Sequence, residues 1–193
     1  MQKKELRIFF LQKRLSLSDE QIDSDSINIF NLLTQNFNLN GLKICTFLPI
    51  KKQNEINTFK LLTYIEKYNF KLFITKWHIE NNELTIHKFN SKEDLITNKF
   101  GIPEPKKINI IEVPNEISIV LVPMLCFDKK GNRVGYGKGV YDQFLKKFNK
   151  AKTLFIGLSF FNPIDEISDI NENDVKLNYC ITPNKIYHFE KQA

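Results

Sequence analysis

The sequence predicts an α/β fold in which helices cover both faces of a largely parallel sheet. Two patterns carry this prediction. Several short apolar runs lack the alternation of a half-exposed strand, and segments with helical spacing separate them. The chain has 193 residues, of which 42% are hydrophobic and 26% charged, close to globular averages. We therefore expect a single domain, residues 1–193, with a substantial core.

The first two elements are predicted helices. Apolar and basic residues mix at helical spacing over Gln2–Leu15, which indicates an amphipathic helix. Ser18 and Gln21 form a possible capping box for a second helix, which Gly41 ends. On spacing alone, the basic side of the first helix is best interpreted as a solvated surface.

The remaining elements are predicted from apolar runs and from the residues that end them. Strands are predicted at Leu42–Leu48, Phe70–Thr75, Glu83–Phe89, Ser118–Val122, Thr153–Phe160 and Tyr179–Thr182. Helices are predicted at Asn57–Tyr68, after the cap Ser91–Asp94, and at Val140–Phe148. Two prolines place Gly101–Pro105 in a loop.

A glycine-rich segment, Val122–Asp142, stands between the strand Ser118–Val122 and the helix that follows. It contains four of the seven glycines, namely Gly131, Gly135, Gly137 and Gly139. Arg133 and Lys138 lie among them, and backbone amides of such a loop bind anions, so phosphate is the predicted ligand. Ligands of open α/β sheets bind beyond the carboxyl ends of strands, where this segment would lie.

The spacing fits neither common phosphate loop. Gly139 stands where a Walker A loop needs Ser or Thr, and the glycine intervals do not match a dinucleotide fingerprint. A merely flexible connection stays open as the alternative. Asp142, near the start of the next helix, suits either a helix cap or a metal ligand, and local sequence favours the cap.

Charge and cysteine content restrict the partners. The net charge of +6 suits an enzyme of anionic substrates, and no arginine-rich arm or zinc finger predicts nucleic-acid binding. Three separated cysteines are predicted to be buried thiols, namely Cys45, Cys126 and Cys180. The basic N-terminal segment has no apolar stretch of signal-peptide or membrane-spanning length, so a cytoplasmic protein without membrane contact is expected.

The segment Phe127–Leu145, F-D-K-K-G-N-R-V-G-Y-G-K-G-V-Y-D-Q-F-L, resembles the signature of the 5-formyltetrahydrofolate cyclo-ligase family, also called 5,10-methenyltetrahydrofolate synthetases. Four further segments resemble that family's motifs in the same order. They are Lys3–Arg7, Leu48 with Glu55–Thr58, Gly101–Pro105 and Asn171–Asp174. Together the five motifs span nearly the whole chain.

The resemblance implies a three-layer α/β/α sandwich and an enzyme that uses ATP and Mg²⁺. Its implied reaction converts 5-formyltetrahydrofolate, with or without a polyglutamate tail, to 5,10-methenyltetrahydrofolate, and a monomer is expected. The implied ATP-binding residues are Lys3, Lys4, Arg7, Arg133, Val134, Gly135, Tyr136, Gly137, Lys138, Gly139, Val140 and Tyr141. Lys138 and Arg133 are the implied catalytic residues, with Lys138 stabilising charge on the transferred phosphoryl group.

The implied folate-binding residues are Leu48, Glu55, Trp77 and Tyr141. Asp142 and Asp174 are the implied Mg²⁺ ligands, a role for Asp142 that differs from the cap that local sequence favours. Trp77 has an equal alternative as a half-buried apolar anchor. Val140 and Gln143 depart from the family pattern, in which an aromatic residue and Arg are common at these positions.

Other interpretations stay open from residues alone. A phosphate-handling enzyme such as a sugar-phosphate isomerase would need no ATP. A basic nucleic-acid-binding module would leave the glycine-rich segment without a function. Lys106–Lys107 and Lys146–Lys147 are candidates to attract a polyglutamate tail, although a solvated surface is the commoner role of such pairs.

Overall fold

The computed structural model describes residues 1–98, 101–106 and 114–190. It contains the helices α1 (Lys3–Leu15), α2 (Asp19–Asn36), α3 (Ile65–Tyr68) and α4 (Val140–Leu145). Its strands are β1 (Lys43–Thr46), β2 (Lys71–His78), β3 (Glu83–Lys88), β4 (Leu95–Thr97), β5 (Pro103–Pro105), β6 (Ile119–Pro123), β7 (Cys126–Phe127), β8 (Arg133–Val134), β9 (Leu154–Leu158), β10 (Tyr179–Ile181) and β11 (Ile186–His188).

Seven strands form the central sheet, in the order β11-β10-β9-β6-β1-β2-β3. The five inner strands are parallel to one another, and the edge strands β11 and β3 are antiparallel to their neighbours. The predicted α/β class with a largely parallel sheet is therefore confirmed.

Successive side chains of the inner strands enter two separate cores. On β6, Ile119 and Leu121 join one cluster, whereas Val120 and Val122 join the other. Because neighbouring side chains point to opposite faces, a strand buried on both faces needs apolar residues at every position. The first cluster contains Phe30 of α2, and the second contains residues of α4.

A third cluster lies under α1. Leu6 and Phe10 of this helix pack with Cys126 and Val134 of the small β7–β8 hairpin and with Phe161. The amphipathic pattern of α1 is confirmed, and its apolar side anchors the helix on the glycine-rich segment.

The glycine-rich segment is more ordered than an open loop. Its first part forms the β7–β8 hairpin, whose turn is held by Asp128, a fully buried carboxylate. Asp128 Oδ1 accepts hydrogen bonds of 2.9 Å from the backbone N–H groups of Lys130 and Asn132. Gly131, with φ of 81°, serves this turn, and a Cβ there would lie 2.7 Å from the Phe189 ring. After the hairpin, Gly135–Gly139 forms an open loop that leads into α4.

Two predicted helices differ from the structure. The helix expected over Asn57–Tyr68 is mostly a 3₁₀ helix (Thr58–Tyr64) followed by the single turn α3. Thr, Phe and Tyr are weak helix formers, and the Thr58 hydroxyl donates a 2.7 Å hydrogen bond to the Phe47 carbonyl, which fixes the segment from outside. The short helix after Ser91 is likewise one 3₁₀ turn, without a side-chain cap.

The expected loop Gly101–Pro105 contains β5, which pairs with β4 in a separate two-stranded sheet. Strand β2 also continues beyond Thr75 to His78, because it pairs there with β3 as a hairpin, with Trp77 opposite Leu84. Both differences come from pairing between segments, which local sequence does not report. No helix in the described ranges is long and apolar enough to cross a membrane.

Candidate active site

A cavity of about 890 Å³ opens beyond the carboxyl ends of β1, β2 and β6. Its wall is built from the start of α1, the end of β2, the glycine-rich segment and residues near Asp174. The predicted site residues that line it are Lys3, Lys4, Arg7, Leu48, Glu55, Trp77, Arg133, Gly135, Tyr136, Gly137, Lys138, Gly139, Val140, Tyr141, Asp142 and Asp174. Residues far apart in the chain thus meet at the edge where ligands of parallel sheets bind.

Val134 is the predicted site residue that does not line this cavity. Its side chain is 1% exposed and packs in the third cluster beside Leu6 and Phe10. Its carbonyl accepts a 2.8 Å hydrogen bond from the Leu125 N–H. The structure therefore gives Val134 a supporting place beneath the open glycines, because alternate residues of β8 point to opposite sides.

The first turn of α1 brings positive charge to the cavity. Lys3 Nζ lies 2.5 Å from Asp174 Oδ2, and the Lys3 backbone N–H donates a 2.8 Å hydrogen bond to Asp169 Oδ1. Arg7 Nε donates a 3.0 Å hydrogen bond to the Gly135 carbonyl. A Cβ on Gly137 would lie 3.0 Å from the Arg7 guanidinium, so only glycine permits this close approach without displacing it.

Lys138 stands at the tip of the open glycines, between Gly137 (φ of 90°) and Gly139 (φ of 67°). Its side chain is exposed, and its Nζ lies 4.4 Å from the centre of the Trp77 ring. Asn82, at the turn of the β2–β3 hairpin, donates a 3.0 Å hydrogen bond to the Lys138 carbonyl. The hairpin therefore anchors the backbone of this lysine, and its Trp77 ring contacts the ammonium.

Arg133 is held much more firmly than Lys138. Arg133 is only 8% exposed. Its Nη2 donates a 2.7 Å hydrogen bond to Asp142 Oδ1, and its Nη1 donates a hydrogen bond to the Val175 carbonyl. Burial lowers the pKa of Arg133, and the adjacent Asp142 carboxylate opposes this shift. The arginine thus fixes Asp142 and the chain near Val175 at the edge of the cavity.

Asp142 does not cap α4. The N-cap position is Gly139, and no side chain accepts a hydrogen bond there. Asp142 Oδ1 instead accepts from Arg133 and, at 3.0 Å, from the Val175 N–H. The helix cap that local sequence favoured for Asp142 is wrong, because its carboxylate binds Arg133 and the Val175 N–H instead.

The two predicted Mg²⁺ ligands fit a metal that is bound together with a nucleotide. Asp142 and Asp174 both line the cavity, and in the described ranges no group of three or more His, Cys, Asp or Glu residues is arranged to hold a metal. Mg²⁺ commonly takes one or two carboxylates and completes its shell with water and phosphate oxygens, so this donor set is suitable.

The sequence analysis missed a polar network in which Tyr136 bonds to the buried side chains of Glu55 and Arg14. Tyr136 donates a 2.5 Å hydrogen bond to Glu55 Oε1 and accepts one from Arg14 Nη2, and Glu55 Oε2 accepts a 2.8 Å hydrogen bond from the Ile50 N–H. Arg14 is only 4% exposed, although its spacing placed it on the solvated side of α1. Its proximity to the glycine-rich segment depends on how α1 docks, and no local signal reports that.

Burial dominates the electrostatics of this network. It raises the pKa of Glu55, and the Arg14 charge and the hydrogen bond from Tyr136 oppose the shift. Burial also raises the pKa of Tyr136, as does the neighbouring Glu55 carboxylate. The Tyr136 hydroxyl therefore keeps its proton at physiological pH and stays a hydrogen-bond donor to Glu55.

Another part of the cavity wall is mostly apolar. Leu48, 7% exposed, and the half-buried Trp77 lie there with Tyr141, whose hydroxyl is 3.4 Å from Thr75 Oγ1. Burial raises the pKa of Tyr141. A wall with apolar and aromatic side chains and few polar groups is suited to a flat organic ligand.

The lysine pairs near the cavity have other contacts. Lys146 Nζ donates a 2.7 Å hydrogen bond to Asn173 Oδ1, and Lys147 forms an ion pair with Glu83. Lys106 donates to the Glu93 carbonyl at 2.5 Å, and Lys107 lies outside the described residues.

Comparison with known proteins identifies the family. The fission yeast "probable 5-formyltetrahydrofolate cyclo-ligase" is 28% identical over 200 residues, covering 96% of this chain and 97% of the relative. The mouse 5-formyltetrahydrofolate cyclo-ligase is 26% identical, with 91% of each chain covered. A mitochondrial enzyme of the same name from Arabidopsis thaliana is 28% identical, and the match covers 78% of this chain but 62% of the relative.

The fold comparison agrees. The NMR structure of Aquifex aeolicus 5,10-methenyltetrahydrofolate synthetase superposes with a TM-score of 0.82 at 27% identity, covering 100% of this chain and 95% of that one. The model of the 5-formyltetrahydrofolate cyclo-ligase family matches residues 1–183. The chain therefore belongs to the 5-formyltetrahydrofolate cyclo-ligase family.

Proposed function

We propose that this chain catalyses the ATP-dependent conversion of 5-formyltetrahydrofolate to 5,10-methenyltetrahydrofolate, with release of ADP and phosphate. Family membership supports the reaction. The observation that carries it for this chain is the shared cavity, in which the cations of α1 and the glycine-rich segment face an apolar wall with a buried carboxylate. Such a cavity can hold an anionic nucleotide and a flat heterocycle side by side.

The reaction needs activation of a poor leaving group. The formyl oxygen attacks the γ-phosphorus of ATP, the bond to the bridging oxygen breaks, and ADP leaves. N10 of the folate then attacks the formyl carbon and closes the ring. N10 loses its proton to solvent, and the C–O bond breaks as phosphate carries the former formyl oxygen away. Because the protein forms no covalent bond, its contribution is positioning and neutralisation of charge.

In this proposal the basic residues of the cavity have two kinds of role. Some side chains move to bind phosphate, and Arg133 stays in a fixed position. Lys138, exposed at the tip of the loop, stabilises the transferred phosphoryl group, while Lys3, Lys4 and Arg7 bind the other phosphates. Arg133 acts near the phosphates through its fixed position beside Asp142, since its guanidinium is already engaged by that carboxylate and by the Val175 carbonyl.

Asp142 and Asp174 are the residues that would hold Mg²⁺. When bound, the ion neutralises phosphate charge and orients the γ-phosphoryl group. In the structure each carboxylate pairs with a cation, Asp142 with Arg133 and Asp174 with Lys3. We infer that Lys3 exchanges Asp174 for a phosphate when the nucleotide binds, whereas the buried Arg133 keeps its contact.

The folate ring is assigned to the apolar wall. Leu48, Trp77 and Tyr141 would contact the pterin, and the Glu55 carboxylate would accept hydrogen bonds from its amino and ring N–H groups. Tyr136 and Ile50 already donate to Glu55, so they hold the carboxylate in place at the cavity edge. The three buried cysteines are unpaired, which fits a protein of the reducing cytoplasm. We also propose that the chain is a monomer.

The test is a spectrophotometric assay with purified protein, 5-formyltetrahydrofolate, ATP and Mg²⁺. We expect methenyl absorbance to appear together with one ADP for each product, and neither without folate. ATP hydrolysis that ignores folate, or no ADP release, would refute the proposal. Turnover of a sugar phosphate without ATP would instead support the isomerase alternative.

A further inference from the structure

Trp77 and Lys138 form a contact that the proposed reaction does not explain. The Lys138 ammonium lies 4.4 Å from the centre of the Trp77 ring, within the range of a cation–π interaction. In the described part of the chain, Lys138 forms no ion pair, so the ring is the partner of its charge. A catalytic cation therefore contacts the aromatic ring assigned to the folate.

The contact is built into the β2–β3 hairpin. Asn82 at its turn, with φ of 56°, donates to the Lys138 carbonyl at 3.0 Å, and Glu83 forms an ion pair with Lys147 just after α4. Two separate bonds thus fix the hairpin against the segment that carries Lys138. The side chain of Lys138 is free to turn about this anchored backbone, because the residue is exposed.

The orientation of the Trp77 ring depends on packing. The ring packs against the second cluster, and its Nε1–H is buried without a hydrogen-bond partner in the described residues. Since no hydrogen bond holds the indole, only the core and the Lys138 ammonium set its position. A ring held in this way can receive either a cation or a flat heterocycle on its open side.

We propose that Trp77 is a positioning residue for Lys138, and that folate and the phosphates of ATP bind cooperatively because both displace the ammonium from the ring. This inference rests on the proposed function. A pterin cannot stack on the ring surface that the ammonium covers, so folate binding sends Lys138 towards the phosphates. By reciprocity, phosphates that attract Lys138 uncover the ring for folate.

The size of the coupling between folate and nucleotide binding should equal the strength of the Lys138–Trp77 contact, which either ligand breaks. A cation–π contact at an exposed site corresponds to about a two- to fivefold change in a dissociation constant. Each ligand should therefore tighten the other by about this factor. Without folate, removal of the ring should likewise tighten binding of a nucleotide, because the ammonium no longer has to leave it.

A double-mutant cycle tests the inference. Calorimetry would measure the Kd of a non-hydrolysable ATP analogue, with Mg²⁺, for the wild type, Trp77→Leu, Lys138→Met and the double variant. We expect Trp77→Leu to bind the analogue about two- to fivefold more tightly than the wild type, and the gain to vanish in the Lys138→Met background. An unchanged or weaker affinity of Trp77→Leu in both backgrounds would overturn the inference.

Trp77→Phe controls for a change in folding, because it retains an aromatic ring. Its Kd for the analogue should lie between those of the wild type and Trp77→Leu. Trp77 is the only tryptophan in the chain, so its fluorescence reports the contact directly. The analogue should change the emission of the wild type and leave that of Lys138→Met unchanged. An equal change in both would contradict a role through Lys138.

Cooperativity with folate is the second measurement. With 5-formyltetrahydrofolate present, the analogue should bind the wild type about two- to fivefold more tightly, with no such gain in Trp77→Leu. If the wild type turns over folate in the methenyl assay but shows no coupling, this inference fails and the proposed function stands. If the wild type neither binds the analogue nor forms product, the proposed function fails first.

Discussion

Tyr136 donates a 2.5 Å hydrogen bond to Glu55 and so joins the glycine-rich segment to the folate side of the cavity. The two residues are 81 positions apart in the chain. Arg14 of α1 completes the network by donating to the Tyr136 hydroxyl and stacking over its ring, with 5.5 Å between the guanidinium carbon and the ring centre. The Tyr136 hydroxyl therefore connects α1, the segment around Glu55 and the glycine-rich segment. In the proposed reaction, Glu55 binds the folate, whereas α1 and the glycine-rich segment bind ATP.

Loss of this hydroxyl should destabilise the chain. Tyr136→Phe leaves the buried Glu55 carboxylate and Arg14 without a shared partner, so the free energy of unfolding should fall by about 1–3 kcal/mol in urea titrations. Tyr187→Phe is the matched control, because it removes a hydroxyl bonded to Asn162 at an exposed site and should cost about 0.5 kcal/mol or less. Equal losses would contradict a special role for the network.

Glu55 should also shape the dependence of stability on pH. Burial raises its pKa above the ordinary value of 4.5. The folded chain then binds this proton more tightly than the unfolded chain, so its contribution to stability is present below pH 4.5 and is lost as pH rises through the raised pKa. Glu55→Gln should remove that downward slope in free energies of unfolding measured by urea titration across this range.

Asp23 provides a control of opposite sign. Hydrogen bonds from Lys60 and then Asn57 lower its pKa below the ordinary value of 3.8, so its contribution is present above that pH and is lost on acidification. Asp23→Asn should therefore lower the free energy of unfolding above pH 3.8, and it should change the slope of the profile only on its acidic limb. A Glu55→Gln profile parallel to that of the wild type would show that the carboxylate does not titrate as expected.

Lys138 should matter for turnover and little for stability. Its side chain is exposed, so Lys138→Met should leave the free energy of unfolding within about 0.5 kcal/mol of the wild type. Loss of charge stabilisation at the phosphoryl group should lower kcat roughly 100- to 1,000-fold in the methenyl assay. Lys129→Met, at an exposed ion pair with Asp165, should keep normal kcat. A near-normal kcat for Lys138→Met would remove its catalytic assignment.

Substitutions of the two proposed metal ligands should lower the free energy of unfolding by different amounts. Asp142→Asn weakens the partner of the buried Arg133, so it should reduce the free energy of unfolding by about 1–3 kcal/mol. Asp174→Asn weakens the contact with Lys3 at the start of α1; because the Lys3 side chain is more exposed than that of Arg133, 11% against 5%, the cost should be smaller, about 1 kcal/mol. Asp174→Asn is therefore the cleaner test, and calorimetry should show weakened Mg²⁺-dependent binding of the ATP analogue. Unchanged binding would exclude Asp174 as a ligand.

Three glycines of the open loop form a graded series. Gly135 has no positive φ and open space for a Cβ, so Gly135→Ala should leave stability nearly unchanged. Gly139→Ala meets only backbone strain, at φ of 67°, and should cost about 1–2 kcal/mol. Gly137→Ala adds a 3.0 Å contact with the Arg7 guanidinium and should cost the most, as measured by urea unfolding. The reverse order would contradict the close approach of Arg7.

Local pattern was enough for most of the fold. Four successive apolar residues, Ile119–Val122, predicted a strand buried on both faces, and they do alternate between two cores. The helix Val140–Phe148 was slightly too long, because α4 ends at Leu145. Elements that depend on pairing with another segment were missed or misjudged, such as β5, which pairs with β4.

The same division applies to the site. All the predicted site residues except Val134 line the cavity, because phosphate binding requires glycine and cations in a short segment. The role of Arg14 could not be predicted, since its burial depends on how α1 docks. Val134 was included for its place between site residues, yet the alternation of β8 turns it into the core.

By itself the sequence determined the α/β class, the anion-binding segment and the resemblance to its family. These rest on spacing along the chain and on the chemistry of single side chains. Only the tertiary structure decided that Asp142 binds Arg133 instead of capping α4, and that Lys138 rests on Trp77. Such pairings depend on which segments the sheet brings together, because charges and rings interact through space over a few ångströms.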